Sequence, residues 1–272
     1  MGEAPISIIA PKGRLDRASL MATARKLVAA SARDWNVSER TILAILATPF
    51  VVAFIGLVTA AIGKGVYKWV VADDKIGETV QVVLYFTVLV LGLVVARRFW
   101  KDGHTVIMSL YLLLCLGLVF LVGEELSWGQ RIFHWATPAS LERVNKQAES
   151  NLHNISSVEN VFKWVQLLIG AYGTVFPVLF WRSRWLRRYR NTIAALVPHY
   201  ALVPCFFLLF IWRVYRNLAE PPASFHFVVS EYNEILEVIL SIALLLFMVF
   251  QVKRTRERRE LVVPPEAVAR SS

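Results

Sequence analysis

The sequence predicts an all-α integral membrane protein: a bundle of six transmembrane helices with an amphipathic helix on its outer interface. Three observations carry that reading. The chain of 272 residues is 56% hydrophobic and 18% charged, against about 45–50% and about 25% in an ordinary soluble domain. Several apolar runs reach the roughly 20 residues that cross a bilayer. Those runs are continuous rather than alternating, which argues against a β-barrel. The net charge of +10 does not call for nucleic acid, because basic loops on one membrane face give the same total. The expected partner is the lipid bilayer; no nucleic acid is expected.

Residues 1–40 form a basic segment with seven basic and four acidic residues. Within it, residues 15–33 suit a short helix on an anionic membrane surface, with Leu20, Ala24, Leu27 and Ser31 on one face. A disordered basic tail fits the same composition. The apolar stretch 6–10 is too short for a signal-peptide core. The membrane domain covers 41–251. Its first span is 41–63, its second 78–96, stopped by Arg97-Arg98, and its third 104–123. The fourth is 160–181. The fifth, 193–212, contains Pro198 and Pro204, so a kinked helix is expected. The sixth is 231–251. Its wholly apolar part, 238–250, is too short to cross alone, so the helix must carry Glu231, Glu234 and Glu237 into or near the membrane. Residues 252–272 are a basic tail. Cys115 and Cys205 lie inside apolar runs and match neither a disulfide framework nor a zinc spacing.

Charge sets the orientation. With six spans, 21 basic and eight acidic residues fall on the side of both termini, and nine basic and twelve acidic on the other. The net charges are +13 and −3. The positive-inside rule places both termini in the cytoplasm.

Chemistry concentrates at residues 123–154, GEELSWGQRIFHWATPASLERVNKQAESNLHN. A helix running on to Trp135 would be about 48 Å long, so the chain should turn near Gly123 or Gly129. Trp128, Phe133 and Trp135 then suit an interfacial aromatic belt. Thr137-Pro138 reads as a helix start. Beyond it Leu141, Val144, Ala148 and Leu152 fall on one helical face, and Glu142, Asn145, Glu149 and His153 on another. This is the expected outer helix, within an outer segment spanning 124–159. Glu149 and His153, four apart, would be neighbours able to share a proton or bind a metal. His134 is a candidate third ligand. A plain solvated helix face fits the same pattern.

The second cluster opens the sixth span. His226, Ser230, Asn233, Glu234 and Glu237 fall in one wedge of the helix, with Glu231 further round. Ionisable groups inside a membrane are costly and mark functional pathways. They can equally pair with Arg213, Arg216 or Arg131 as structural locks. Both clusters lie on the outer side. The candidate acid–base residues are therefore Glu124, Glu125, Glu149, His153 and Glu234. The candidate substrate-binding residues are Gln130, Arg131, Asn145, Asn151, Arg213 and Arg216. A divalent metal would draw on His153, Glu149, His226 and Glu231. His104 and His199 sit toward the inner side and are expected to be structural.

The run Glu124-Glu125-Leu-Ser-Trp-Gly-Gln-Arg-Ile-Phe, then Thr137-Pro, then Asn145-Lys-Gln-Ala-Glu-Ser-Asn-Leu-His-Asn, resembles a family of bacterial multi-pass membrane proteins without an assigned activity. The resemblance covers about 32 residues. It implies a bacterial plasma membrane and also points to Ser127 and Gln147. Nothing matches a rhomboid, zincin, Walker or Rossmann pattern.

The leading expectation is a polar site at the extracytoplasmic interface that binds or hydrolyses a lipid or lipid-linked substrate. An ion-coupled transporter is a second reading, and a non-catalytic subunit presenting its outer helix to a partner is a third. Whether the protein is an enzyme, and its oligomeric state, stay open at this point.

Overall fold

The computed structural model describes residues 17–262 apart from 73, 74, 188 and 221. Asp73 and Asp74, two of the twelve acidic residues counted on the outer side, lie outside the described residues, as do the first 16 residues and the last ten. Six helical stretches are long and apolar enough to cross a membrane: Glu39–Ile62, Lys64–Lys101, Thr105–Glu125, Ser156–Phe180, Thr192–Leu218 and Ala223–Glu257. The chain is a multi-pass membrane protein, with the six spans where the apolar runs place them.

Helix α1 (Arg17–Trp35) buries only its C-terminal residues Ser31, Ala32 and Trp35. The Trp35 ring stacks on Phe250 at 4.8 Å, and Lys253 Nζ donates to the Trp35 and Asn36 carbonyls. Helix α2 (Glu39–Ile62) starts on Ser38, whose hydroxyl accepts from the Thr41 N–H. A short helix, α3 (Lys64–Val71), follows in the stretch between the first two predicted spans. Its Tyr67 is wholly buried and donates to the Val228 carbonyl. Helices α4 (Ile76–Lys101) and α5 (Thr105–Glu125) form an antiparallel pair. Two short turns, α6 (Gln130–Phe133) and α7 (Ala139–Glu142), lie in the next connection. Helix α8 (Ser156–Arg182) returns across the bundle, followed by α9 (Arg184–Arg187) and α10 (Arg190–Leu196). Helix α11 (Val203–Leu218) pairs with α8. Helix α12 (His226–Val262) packs on α4, α11, α2 and α3, so it stands at the centre of the bundle.

The fifth span is broken rather than kinked. Pro198 disfavours helix at the residue before it, and Val197 and His199 are extended. Pro204 falls in the first turn of α11, where it lacks no needed donor. The break strands the last carbonyls of α10 inside the bundle. Each takes a side-chain donor: Gln251 Nε2 on Ala194 (2.7 Å), Tyr111 Oη on Ala195 (2.6 Å) and Tyr172 Oη on Leu196 (3.0 Å). Helix ends left without partners in an apolar medium are costly, so these three bonds hold the break in place.

Close approach of α8 and α11 depends on two glycines. A Cβ on Gly170 would lie 2.9 Å from the Phe210 backbone, and one on Gly173 2.1 Å from the Phe206 ring. Small residues let membrane helices meet in this way. Gly170→Ala must push backbone from backbone, and overpacking of this kind costs about 1–3 kcal/mol. The expected result is a lower Tm of the detergent-solubilised protein. Gly117→Ala, which meets open space, is the control. An unchanged Tm for Gly170→Ala would refute the close packing.

Candidate functional site

The polar groups of the membrane domain gather at one end of the bundle. That end carries the start of α4, the end of α5, the start of α8, the end of α11 and the start of α12, covered by the connection 126–155. The opposite end holds Lys253, Arg98 and the His199–Asp34 pair at 3.3 Å. His199 and His104, which caps the start of α5, are remote from the polar end, as the sequence suggested.

The connection is a folded loop, not the expected helix. Beyond Thr137-Pro138, where the helix was expected, only Ala139–Glu142 makes a helical turn. Two asparagines account for the difference, because their side chains satisfy the backbone groups that a helix would have used. Asn145 Oδ1 accepts from the N–H groups of Gln147 (2.9 Å) and Glu149 (3.3 Å), and its Nδ2 donates to the carbonyl and side chain of Asn151. Ala148 takes a left-handed backbone (φ 55°), which ends any helix there. Thr137 caps nothing. Its hydroxyl accepts from Gln130 Nε2 and donates to the Ala148 carbonyl. The turn does come at Gly129 (φ 95°), preceded by Ser127 and Trp128 at φ 46° and 55°. Four of the five described non-glycine residues with positive φ lie in this connection. Such strain persists where neighbours over-determine it, and it clusters at functional sites.

Glu124 closes the α5 end and is 1% exposed. Its Oε1 accepts from the Trp128 indole (2.6 Å). Its Oε2 accepts from the N–H groups of Leu152 (2.7 Å) and His153 (2.8 Å). His153 Nδ1 stands 3.4 Å from the same oxygen, and among the described residues no hydrogen bond occupies its Nε2. Arg131 bonds Glu78 through Nη1 and Glu149 through Nη2 (3.1 Å). Glu149 also accepts from Ser127 and Asn151. Gln130 Oε1 accepts from the Ser150 N–H. Glu125 hydrogen-bonds Glu78 and lies in the field of Glu237 and Arg131.

The sixth-span cluster joins this group. Glu237 accepts from Gln166 Nε2 (2.7 Å) and from Asn233, and it lies in the field of Arg213 and His153. Arg213 donates to Gln166 Oε1. Gln81 donates to the Glu234 side chain and carbonyl (3.3 Å each). Glu125, Gln166 and Glu237 each keep part of their surface open.

Several expected members stay outside. Glu231 and His226 are exposed at the start of α12. Glu231 lies about 240° round the helix from Glu237, on another face. Glu149 and His153 are not helical neighbours, because the helix that would pair them does not form. His134 is exposed, with left-handed backbone. Among the described residues, no three His, Cys, Asp or Glu side chains are placed to hold one metal ion. The set His153, Glu149, His226 and Glu231 therefore does not assemble. Among the described residues Arg216 makes no hydrogen bond or ion pair, and it adds charge beside Arg213. Conversely, Glu78, Gln81 and Gln166 belong to the site and were missed. Their signal was a polar residue inside an apolar span.

The arrangement offers a buried carboxylate orienting an imidazole whose second nitrogen has no bond among the described residues, the layout of a general acid–base pair. The chain matches no known family model, no curated protein and no solved structure.

Proposed function

We propose that this membrane protein binds a lipid or lipid-linked substrate at the extracytoplasmic interface of a bacterial plasma membrane, with His153 and Glu124 as an acid–base pair suited to its hydrolysis. One observation carries the reading: His153 of the loop and Glu237, Gln166 and Arg213 of the spans converge on one partly open site. The charge asymmetry of the sequence supports the orientation. A shallow groove of about 540 Å³ runs along α5, lined by Leu113, Leu116, Gly117, Val119, Phe120 and Trp128. It ends at the indole that donates to Glu124, so an acyl chain lying there brings its polar end to the site. Transport fits less well, because α12 has no polar side chain between Ser241 and Gln251, about 15 Å of helix.

The test is the lipid content of the purified protein. Wild type is expected to retain a lipid through detergent extraction, and Glu237→Gln to lose it at least tenfold at similar Tm, read by mass spectrometry. Identical lipid profiles would sink the reading. A non-catalytic subunit is favoured by a different observation: Ser127, Asn145, Glu149 and Asn151 spend their bonds on one another, and Gln130 spends its own on Trp135, Thr137 and Ser150 of the same loop. On that reading the exposed Phe133 and Trp135 would carry the partner, and Glu237→Gln would leave lipid content unchanged.

A further inference from the structure

We propose that the site receives a zwitterionic head group, a primary ammonium joined to a phosphate, of the kind an aminophospholipid carries. This rests on the reading that the site takes a lipid.

The polar atoms left without partners point to it. Arg213 is 6% exposed; it gives one terminal nitrogen to Gln166, and its buried Nε has no hydrogen-bond partner. That N–H can only donate, and a guanidinium matches phosphate best. Across the site the unused atoms have the opposite sense. Gln81 is wholly buried, with Nε2 on Glu234 and Oε1 unpartnered. Asn233 gives Nδ2 to Glu237, and its Oδ1 is buried and unpartnered. In both amides the NH₂ must face the carboxylate, because a carboxylate oxygen and an amide oxygen would repel. The unused atoms are therefore acceptors, next to Glu234 and Glu237.

Charge agrees with hydrogen bonding. Glu78, Glu125, Glu149, Glu234 and Glu237 gather around Arg131 and Arg213. Glu78 and Glu125 hydrogen-bond each other and so share a proton; the five carboxyl groups then carry up to four charges against the three of Arg131, Arg213 and Arg216, which leaves room for one cation. A primary ammonium brings one positive charge and three donors. Arg213 lies in the field of both Glu234 and Glu237, so the donor and acceptor requirements meet in one place. A purely anionic ligand would satisfy Arg213 and oppose the carboxylates; a purely cationic one would do the reverse.

The test uses the full-length protein in nanodiscs of equal phosphatidylethanolamine and phosphatidylglycerol, with retained lipid read by native mass spectrometry. Wild type is expected to keep phosphatidylethanolamine at least tenfold over phosphatidylglycerol. Arg213→Gln should lower retention of both. Glu237→Gln should reduce the preference to threefold or less. Gln81→Leu, which removes an unpartnered oxygen without removing a charge, repeats that loss if Glu237→Gln fails to fold. Soluble phosphoethanolamine should displace the retained lipid. Displacement by ethanolamine or by phosphate alone at the same concentration would overturn the zwitterion assignment. Equal retention of the two lipids by wild type overturns the head-group assignment while lipid binding stands. Retention of neither overturns both.

Discussion

Replacing Arg131 by methionine is expected to destabilise the protein more than any other single change at the polar end. The guanidinium bridges Glu78 of α4 and Glu149 of the loop, and the three side chains are 14%, 7% and 21% exposed. Methionine keeps the bulk of the stem and removes the charge. Glu78 and Glu149 are then left in a poorly hydrated site without their shared cation. Removing one partner of a buried ion pair costs about 3–5 kcal/mol, because the remaining charge is uncompensated. For a protein of this size that lowers Tm by about 6–20 °C. Arg143→Met, at an exposed position, is the control and should move Tm little. Adding Glu78→Gln to Arg131→Met removes one of the orphaned charges and should recover part of the loss. Equal melting of the Arg131 and Arg143 variants would show that the bridge does not hold the loop.

Glu124→Gln is expected to release the loop from the bundle. The carboxylate accepts from the Trp128 indole on one oxygen and from two backbone N–H groups on the other. Glutamine has only one oxygen. If that oxygen serves Leu152 and His153, its NH₂ meets the indole N–H, and two donors face each other. Hydrogen bonds to a charged group are worth about 1.5–3 kcal/mol, and a buried donor left unmade costs about 1–3 kcal/mol. Tryptic cleavage at the exposed Arg143 and Lys146 should speed up at least tenfold, with a lower Tm. Trp128→Phe in the same chain removes the opposed donor and should restore part of the protection. Unchanged proteolysis in Glu124→Gln would mean that Glu124 does not anchor residues 152–153.

The two variants probe the part of the protein that was hardest to read from sequence. The six spans were legible because bilayer thickness imposes a length, and runs such as 238–250 declare themselves by composition. The membership of Glu124, Glu125, Arg131, Glu237 and Arg213 in one polar group was legible because charge in a span must be buried or paired. The loop was not. Leu141, Val144, Ala148 and Leu152 do follow a helical period, but Asn145 and Asn151 offer the backbone a competing set of bonds. Periodicity cannot register that competition. Gln81 and Gln166 escaped for another reason: a neutral amide in an apolar run leaves no mark on a charge count, although its donors reach Glu234 and Glu237. The four-ligand metal set failed because Glu149 and His153 were paired through a helix that does not form. His226 and Glu231, in turn, are exposed at the start of α12, away from the polar group around Glu237.

The broken fifth span bears on the order in which the bundle is assembled. The carbonyls of Ala194, Ala195 and Leu196 receive their hydrogens from α12, α5 and α8 respectively. Tyr111 and Tyr172 precede α10 in the chain, so two of the three donors are already in the membrane when α10 arrives. Gln251 is synthesised 57 residues after Ala194, at the far end of the last span. Until α12 inserts, the Ala194 carbonyl lacks that partner, and the α4–α5 and α8–α11 pairs lack their common neighbour. The sixth helix is therefore what both pairs have in common: it packs on α4 and on α11, fills the last acceptor of the break and brings Glu234 and Glu237 to the polar site, so the last span in the chain closes both ends of the bundle.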